Sequence, residues 1–411
     1  MDKALKDIVV LDMTHVLAGP YCTMVLADLG ARVIKIEPPW GDDSREFGPF
    51  ITPPDKQDLE SAYYISINRN KESLCLDLKS DEGKKIIWDL IKKADIIVEN
   101  FRPTAMKRLG FSYEAMREVN PGIIYCSICG YGHDALPEYA EKPAYDLIAQ
   151  ALSGLMSITG PEGGEPVRVG SSVGDIVSGL QAAIGILSAL HYREKTGKGQ
   201  YVDIAMVDSL VAIMENAIVR YTVSGQIPGP LGNAHPSITP FQSFITRDGG
   251  HLILPIGNDN LWVALCKTLN RLDLLEKDCF KTNSLRTENK SKLLPLLQEE
   301  FLKKDLLEWQ KILKKADIPH SQINTMDKVV KDPNLIYRKM ITEIEQPNGI
   351  KITSAGSPYK LSETPGRIYA GAPKVGEHTK EILKELLQYP DEKIETLLEH
   401  GQVMQYDGRS S

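Results

Sequence analysis

The chain has 411 residues, of which 42% are hydrophobic and 25% charged, with a formal net charge of −7. These are the proportions of a soluble globular protein, and the length exceeds one ordinary core and points to two domains. The modest acidic balance argues against a general nucleic-acid binder. No uncharged apolar run reaches the ~20 residues needed to span a bilayer, and the polar start from Met1 to Asp7 does not read as a secretory signal. Six cysteines in so long a chain do not make a disulfide framework. The expected setting is the cytoplasm, away from membranes.

Taken in chain order, the first third alternates strands and helices. IVVLDM (Ile8–Met13) is a continuous apolar strand, and THVLAGP is a turn with Pro20 suited to a first helical position. YCTMVLADLG is a helix closed by Gly30, and ARVIKIE is the next strand. SLCLDLK, DIIVEN and GIIYCSI are further strands, and Ser80-Asp81-Glu82 opens an amphipathic helix. Such alternation predicts a parallel sheet covered on both faces. Cys126 and Cys129 form C-x-x-C inside an apolar run, where a strand sends them to opposite faces, so they read as buried strand cysteines. A helix is expected from about Tyr145 to Met156, then a long one after Asp175, then the turn TGKGQ and the strand YVDIAM.

The texture changes after Val223. SGQIPGPLGNAHPS is Gly/Pro-rich and reads as a linker or active-site loop. A hairpin turning at Asp248-Gly249-Gly250 precedes Leu/Lys-rich helices, a second hairpin turns at Pro347-Asn348-Gly349, and the tail carries an amphipathic helix. The expected layout is an α/β large domain over residues 1–223, a smaller α+β domain with its linker over 224–330, and a return to the large domain over 331–411. The opening β-α-β unit lacks G-x-G-x-x-G, so neither a nicotinamide nor a flavin is expected. No metal site is expected either.

One carboxylate stands out. Asp175 follows Gly174 and heads IVSGLQAAIGILSAL, which has no charged residue. On local pattern alone Asp175 reads as a helix N-cap. Several stretches in order change its weight: VVLDMTHVLAGPYCTMVLADLGARVIKIE, NRNKESLCLDLKSDEG, IIVENFRPTAMKRLGF, AYDLIAQALSGLMSITG, VGD, KTGKGQYVDIAMVDS and APKVGEHT. Together they resemble the family III CoA-transferases, the formyl-CoA transferase, carnitine CoA-transferase and CaiB/BaiF group. The resemblance implies a Rossmann-like large domain built from both chain ends, a small domain between, and a homodimer whose two chains interlock. It also implies that Asp175 attacks an acyl-CoA thioester and carries the acyl group and then CoA, so that CoA passes to a second carboxylic acid. Glycines and helix N-terminal amides near Asp175 are expected to supply oxyanion donors.

The same resemblance assigns CoA contacts to Ala18, Lys79, Asn100, Phe101, Arg102, Arg108, Lys142 and Tyr145, and leaves Arg69 and Lys71 open. Asn233 and His235 fall in the loop near the implied acyl pocket, where His235 either binds an acid or braces the loop. His15 falls in the turn near the implied CoA site. The fold also hosts 2-methylacyl-CoA racemases, which resemble this chain but place a histidine before the aspartate of a GHD motif. Here the string is AYD, and a phenol, titrating near ~10, is a poor base at neutral pH. Tyr145 therefore favours transferase over racemase. A non-catalytic acyl-CoA-binding protein is the remaining class, and retention of Asp175 in its glycine setting counts against it. The loop GNAHPSITPFQSFITRDGG and the stretch MSITGPEGGEPVRVG look most like the branch handling succinyl- or glutaryl-type donors.

Overall fold

The computed structural model describes residues 2–51, 59–140 and 142–406. The chain divides into a larger unit, Met1–Leu155 with Arg168–Val219 and Pro333–Ser411, and a smaller one, Met156–Val167 with Arg220–Asp332.

The larger unit is organised by a seven-stranded sheet. Its strands are β1 (Val9–Met13), β2 (Arg32–Glu37), β3 (Lys71–Leu76), β4 (Ile96–Glu99), β5 (Ile124–Cys129), β6 (Tyr201–Ala205) and β7 (Val403–Met404). The spatial order is β7-β3-β2-β1-β4-β5-β6. All pairs are parallel except β7 on β3. The order of the first six is the doubly wound arrangement that reverses between β1 and β4. The central strands are buried along almost their whole length because both faces are covered. One apolar cluster packs α2 (Asp81–Ile91) on the sheet, and another packs α1 (Ala18–Asp28) and α4 (Val173–Thr196).

Glycine decides how close α1 and α4 come. A Cβ at Gly179 would stand 2.6 Å from the Ala18 carbonyl oxygen, so the two backbones nearly touch there. Helix α1 starts at Ala18, earlier than the proline suggested, and Pro20 sits inside its first turn, where no intrahelical N–H is lost. Helix α3 spans Asp146–Leu152, shorter than the expected run to Met156. Among the described residues, α4 is the one helix long and apolar enough to cross a membrane. Its buried face, including Ala182, Ala183 and Ile186, joins the core with α1, while Ile184, Leu187 and Tyr192 stand exposed.

Two buried cations near the sheet are paired. Lys71 Nζ donates to Asp12 Oδ2 at 2.9 Å, Asn68 Oδ1 at 2.8 Å and the Pro20 carbonyl at 3.0 Å, and burial pulls its ammonium down to about 8. Arg69 binds Asp28 through Nε and Nη2 at 3.1 and 2.8 Å. Both cations hold the fold together from inside. The last chain segment returns to the sheet: the Ser73 N–H donates to His378 Nδ1 at 3.3 Å, and the Cys75 N–H to Thr379 Oγ1 at 3.2 Å. Strand β7 then pairs Val403 with Leu76. All six cysteines are free thiols, and Cys126 and Cys129 are buried in β5.

The smaller unit has a three-stranded antiparallel sheet with His251–Pro255 at its centre, flanked by Phe241–Ile245 and Ser321–Gln322. Helices between Asp259 and Lys315 pack on it around Phe244, Trp262, Phe301 and Trp309. Arg286 is fully buried there and donates to the carbonyls of Thr239 and Phe280 and to Asp259.

Candidate active site

A cavity of about 630 Å³ in the larger unit is lined by the end of β5, the starts of α1 and α3, and the first turn of α4. The turn between β1 and α1 is held by Asn100, which follows β4. The Asn100 side chain donates to the His15 carbonyl and accepts the His15 N–H, both at 2.9 Å. Val16 then takes a φ of +64°, unusual for a β-branched residue. Its N–H donates to Asp42 at 3.2 Å, so the strain is held in place from outside the turn.

Asp175 is the third residue of α4, and Ser172 is the N-cap. The N-cap reading of Asp175 is therefore replaced by a first-turn position, where the helix dipole favours negative charge. No cation is paired with Asp175 among the described residues. Burial, helped by the Asp146 charge, pushes its carboxyl up to about 7. Asp146 opens α3. Its Oδ1 accepts the Gly174 N–H at 2.8 Å, and its Oδ2 accepts the Gln150 side-chain amide at 2.8 Å. A Cβ at Gly174 would lie 3.1 Å from Asp146 Oδ1, so a side chain there would crowd the carboxylate that holds this turn. The Gly174 N–H is thus committed to Asp146 and is not free for an oxyanion.

Most of the residues that the resemblance assigned to CoA meet here. Ala18, Asn100, Phe101, Arg102, Arg108, Lys142 and Tyr145 all line the cavity with Asp175. Tyr145 is 72% exposed at the N-cap of α3. Lys142 Nζ stands 4.4 Å from the Tyr139 ring centroid. Lys79 lines a second cavity of about 330 Å³, together with Trp40, Lys35 and Asp43. The two cavities share His15 and Phe101, whose rings lie 5.3 Å apart. Beneath Phe101, its N–H donates to Glu99 Oε2 at 2.8 Å, and burial raises the Glu99 carboxyl to about 7.

Asn233 and His235 belong to the smaller unit, where both brace their loop. Asn233 donates to Ser243 Oγ at 2.6 Å and accepts the Ser243 N–H at 3.1 Å. His235 Nδ1 accepts the Ser237 N–H at 3.1 Å, and its ring packs 5.4 Å from Phe241.

Three ionisable residues of the cavity escaped the sequence reading: Tyr63, Asp146 and Arg168. Burial and the Asp175 charge push the Tyr63 phenol up to about 12, so it stays a donor. Arg168 was detectable as the one charge between Glu165 and Asp175. Asp146 stands inside the AYD string, which was read for its tyrosine. Tyr63 lies in SAYYISIN, which carries no local signal.

At the end of β5, Cys129, His133 and Asp203 offer three ligand atoms within 4.8 Å of one another. Each is engaged within the protein. Backbone N–H groups of Tyr131 and Gly132 reach the Cys129 thiol, which burial raises to about 12. His133 Nε2 is 2.6 Å from Ser127 Oγ, and Asp203 accepts the His133 N–H at 2.8 Å.

Comparison with known proteins identifies the family. Residues 5–379 match CoA-transferase family III. A human succinyl-CoA:glutarate CoA-transferase is 39% identical over 98% of this chain and 91% of its own length. A succinyl-CoA:mesaconate CoA-transferase of Haloarcula hispanica is 41% identical over 93% of this chain and 96% of its own. The crystal structure of a CaiB/BaiF family protein from Brucella suis superposes with a TM-score of 0.82 at 35% identity, covering 94% of this chain and all of that one. On a doubly wound sheet of this kind, these matches establish that the chain belongs to CoA-transferase family III and is a CoA-transferase.

Proposed function

We propose that this enzyme exchanges CoA between dicarboxylic acids of the succinyl and glutaryl type, with Asp175 as the nucleophile. The observation that carries the reading is an unpaired carboxylate in the wall of the cavity where Arg102, Arg108 and Lys142 also stand. CoA lies with its phosphates on these cations and with its adenine end toward the cavity of Trp40 and Lys79. Phe101, common to both cavities, packs against it midway.

The chemistry follows from a carboxylate facing a thioester. Asp175 attacks the thioester carbonyl, the C–S bond breaks, and CoA thiolate and an acyl-aspartyl anhydride result. The thiolate attacks the aspartyl carbonyl of the anhydride and expels the first acid as its carboxylate. The incoming acid attacks the aspartyl thioester, and the released thiolate then attacks the acyl carbon of the new anhydride. A new acyl-CoA leaves and the Asp175 carboxylate is restored. One thioester is exchanged for another, so no other energy source is needed. With the Gly174 amide committed to Asp146, the Asp175 amide, without a partner among the described residues, and the Tyr63 hydroxyl are the donors this turn offers to a tetrahedral oxyanion.

The experiment is incubation with succinyl-CoA followed by hydroxylamine. A hydroxamate at Asp175, found by peptide mass spectrometry and lost in Asp175→Ala, supports the reading, whereas full activity in Asp175→Ala would sink it. CoA transfer without α-proton exchange in deuterium oxide separates this chemistry from racemisation. The exposed apolar face of α4 supports a further part of the proposal, that the active enzyme is an interlocked homodimer.

A further inference from the structure

We infer that Arg168 is the subsite for the distal carboxylate of the dicarboxylic acyl group, an inference that rests on the Asp175 reading above. Arg168 and Asp175 line the same cavity. The Arg168 side chain keeps 47% of its surface exposed. Its Nε donates to the Val169 carbonyl and its Nη2 to the Gly170 carbonyl, both at 3.1 Å. Those bonds station the guanidinium on its own loop. Nη1 has no partner among the described residues and is free to donate.

The loop itself is tied to the nucleophile's support. The Val169 N–H donates to Gln150 Oε1 at 2.9 Å, and Gln150 in turn donates to Asp146 Oδ2 at 2.8 Å. Asp146 is the residue that grips the Gly174 N–H. One Asp146–Gln150 pair therefore fixes both the turn bearing Asp175 and the loop bearing Arg168. The Arg168 Nη2 lies 4.0 Å from Asp146 Oδ2, which balances the cation while leaving it too far for a tight ion pair.

Charge placement says what Arg168 meets. The phosphates of CoA are separated from its sulfur by the whole pantetheine arm. Thioester attack puts that sulfur at Asp175, so a cation tied to the Asp175 turn faces the acyl group. Arg102, Arg108 and Lys142 already supply positive charge for the phosphates. An acyl group ending in a second carboxylate matches a planar guanidinium that can bind it through two N–H groups. Donor and acceptor acids occupy the subsite in turn, because both pass through an anhydride on the same Asp175.

The test compares matched pairs in wild type, Arg168→Gln and Arg168→Lys: succinyl-CoA with butyryl-CoA as donors, and glutarate with valerate as acceptors. In Arg168→Gln the dicarboxylate-to-monocarboxylate ratio of kcat/KM is expected to fall at least about tenfold, mainly through KM, since an uncharged amide cannot replace a charged fork. Arg168→Lys is expected to recover part of that ratio. An unchanged ratio in Arg168→Gln, with both members of each pair falling together, would overturn the subsite. The hydroxamate assay keeps the two readings apart. An Asp175 adduct with an unchanged ratio sinks the subsite alone. Absence of the adduct in wild type sinks the Asp175 chemistry, and the subsite with it.

Discussion

In the proposed reaction Asp175 must be ionised to attack, yet its surroundings favour the protonated form. Only the carboxylate is a nucleophile, and its pKa stands at about 7 in the free enzyme. We therefore expect kcat/KM to rise about tenfold between pH 6 and pH 8 as that group ionises. Asp146→Asn removes the neighbouring negative charge, so the rising limb should move to lower pH. An unmoved limb would show that the Asp146 charge does not act on Asp175. The same shift has a stability consequence. The folded-state pKa of Asp175 lies above its unfolded value, so the folded state holds the proton more tightly. The associated stability is fully present below pH 4 and is lost as pH rises through 7. Asp175→Asn should therefore be more stable than wild type at pH 8, by roughly 4 kcal/mol in denaturant unfolding, and the gap should close toward pH 4. Of the residues in this cavity, Asp175 stood out in one dimension as a lone charge ahead of a long uncharged run, but that pattern alone reads as a helix cap, and only the ordered family stretches gave it a chemical role. Asp146 and Tyr63 did not stand out, because different helices carry them to the cavity and only the fold makes them neighbours.

At the scale of elements, the contact between α1 and α4 sets how Ala18 and Asp175 face the cavity. Gly179→Ala places a methyl group 2.6 Å from the Ala18 carbonyl, a clash with backbone that no rotamer relieves. A loss of about 1–3 kcal/mol in denaturant unfolding is expected, with a raised KM for acyl-CoA as the helices part. Wild-type stability and KM in Gly179→Ala would show that this contact is not what spaces the site. The central strands could be read from apolar runs because a sheet buried on both faces demands them. Strand β7 could not, since two residues, Val403 and Met404, carry no periodicity. The start of α1 was also misjudged: Pro20 is compatible with several positions in a first turn, and the strained Val16 ahead of it leaves no mark in composition.

For the molecule as a whole, the exposed apolar residues of α4 and of the stretch from Val211 to Val223 need cover. The proposed homodimer predicts a light-scattering mass of twice 45.7 kDa. A mass of one chain at micromolar concentration would remove that part of the proposal. The division into two units was suggested in the sequence by the Gly/Pro-rich stretch and the change of texture, whereas the return of the chain end to the first sheet came only from the family resemblance. That return bears on how the protein is made. Strand β3 is complete only when His378, Thr379 and β7 have arrived, some 300 residues later in synthesis. Until then its outer edge has no neighbour. A ribosome halted before residue 370 should therefore display the sheet of an enzyme without its last strand, and limited proteolysis of such arrested chains should cut near β3 at sites that the released protein shields. The order of translation thus places the guard of the sheet last, and a holding chaperone would have its strongest claim on the nascent chain at that edge.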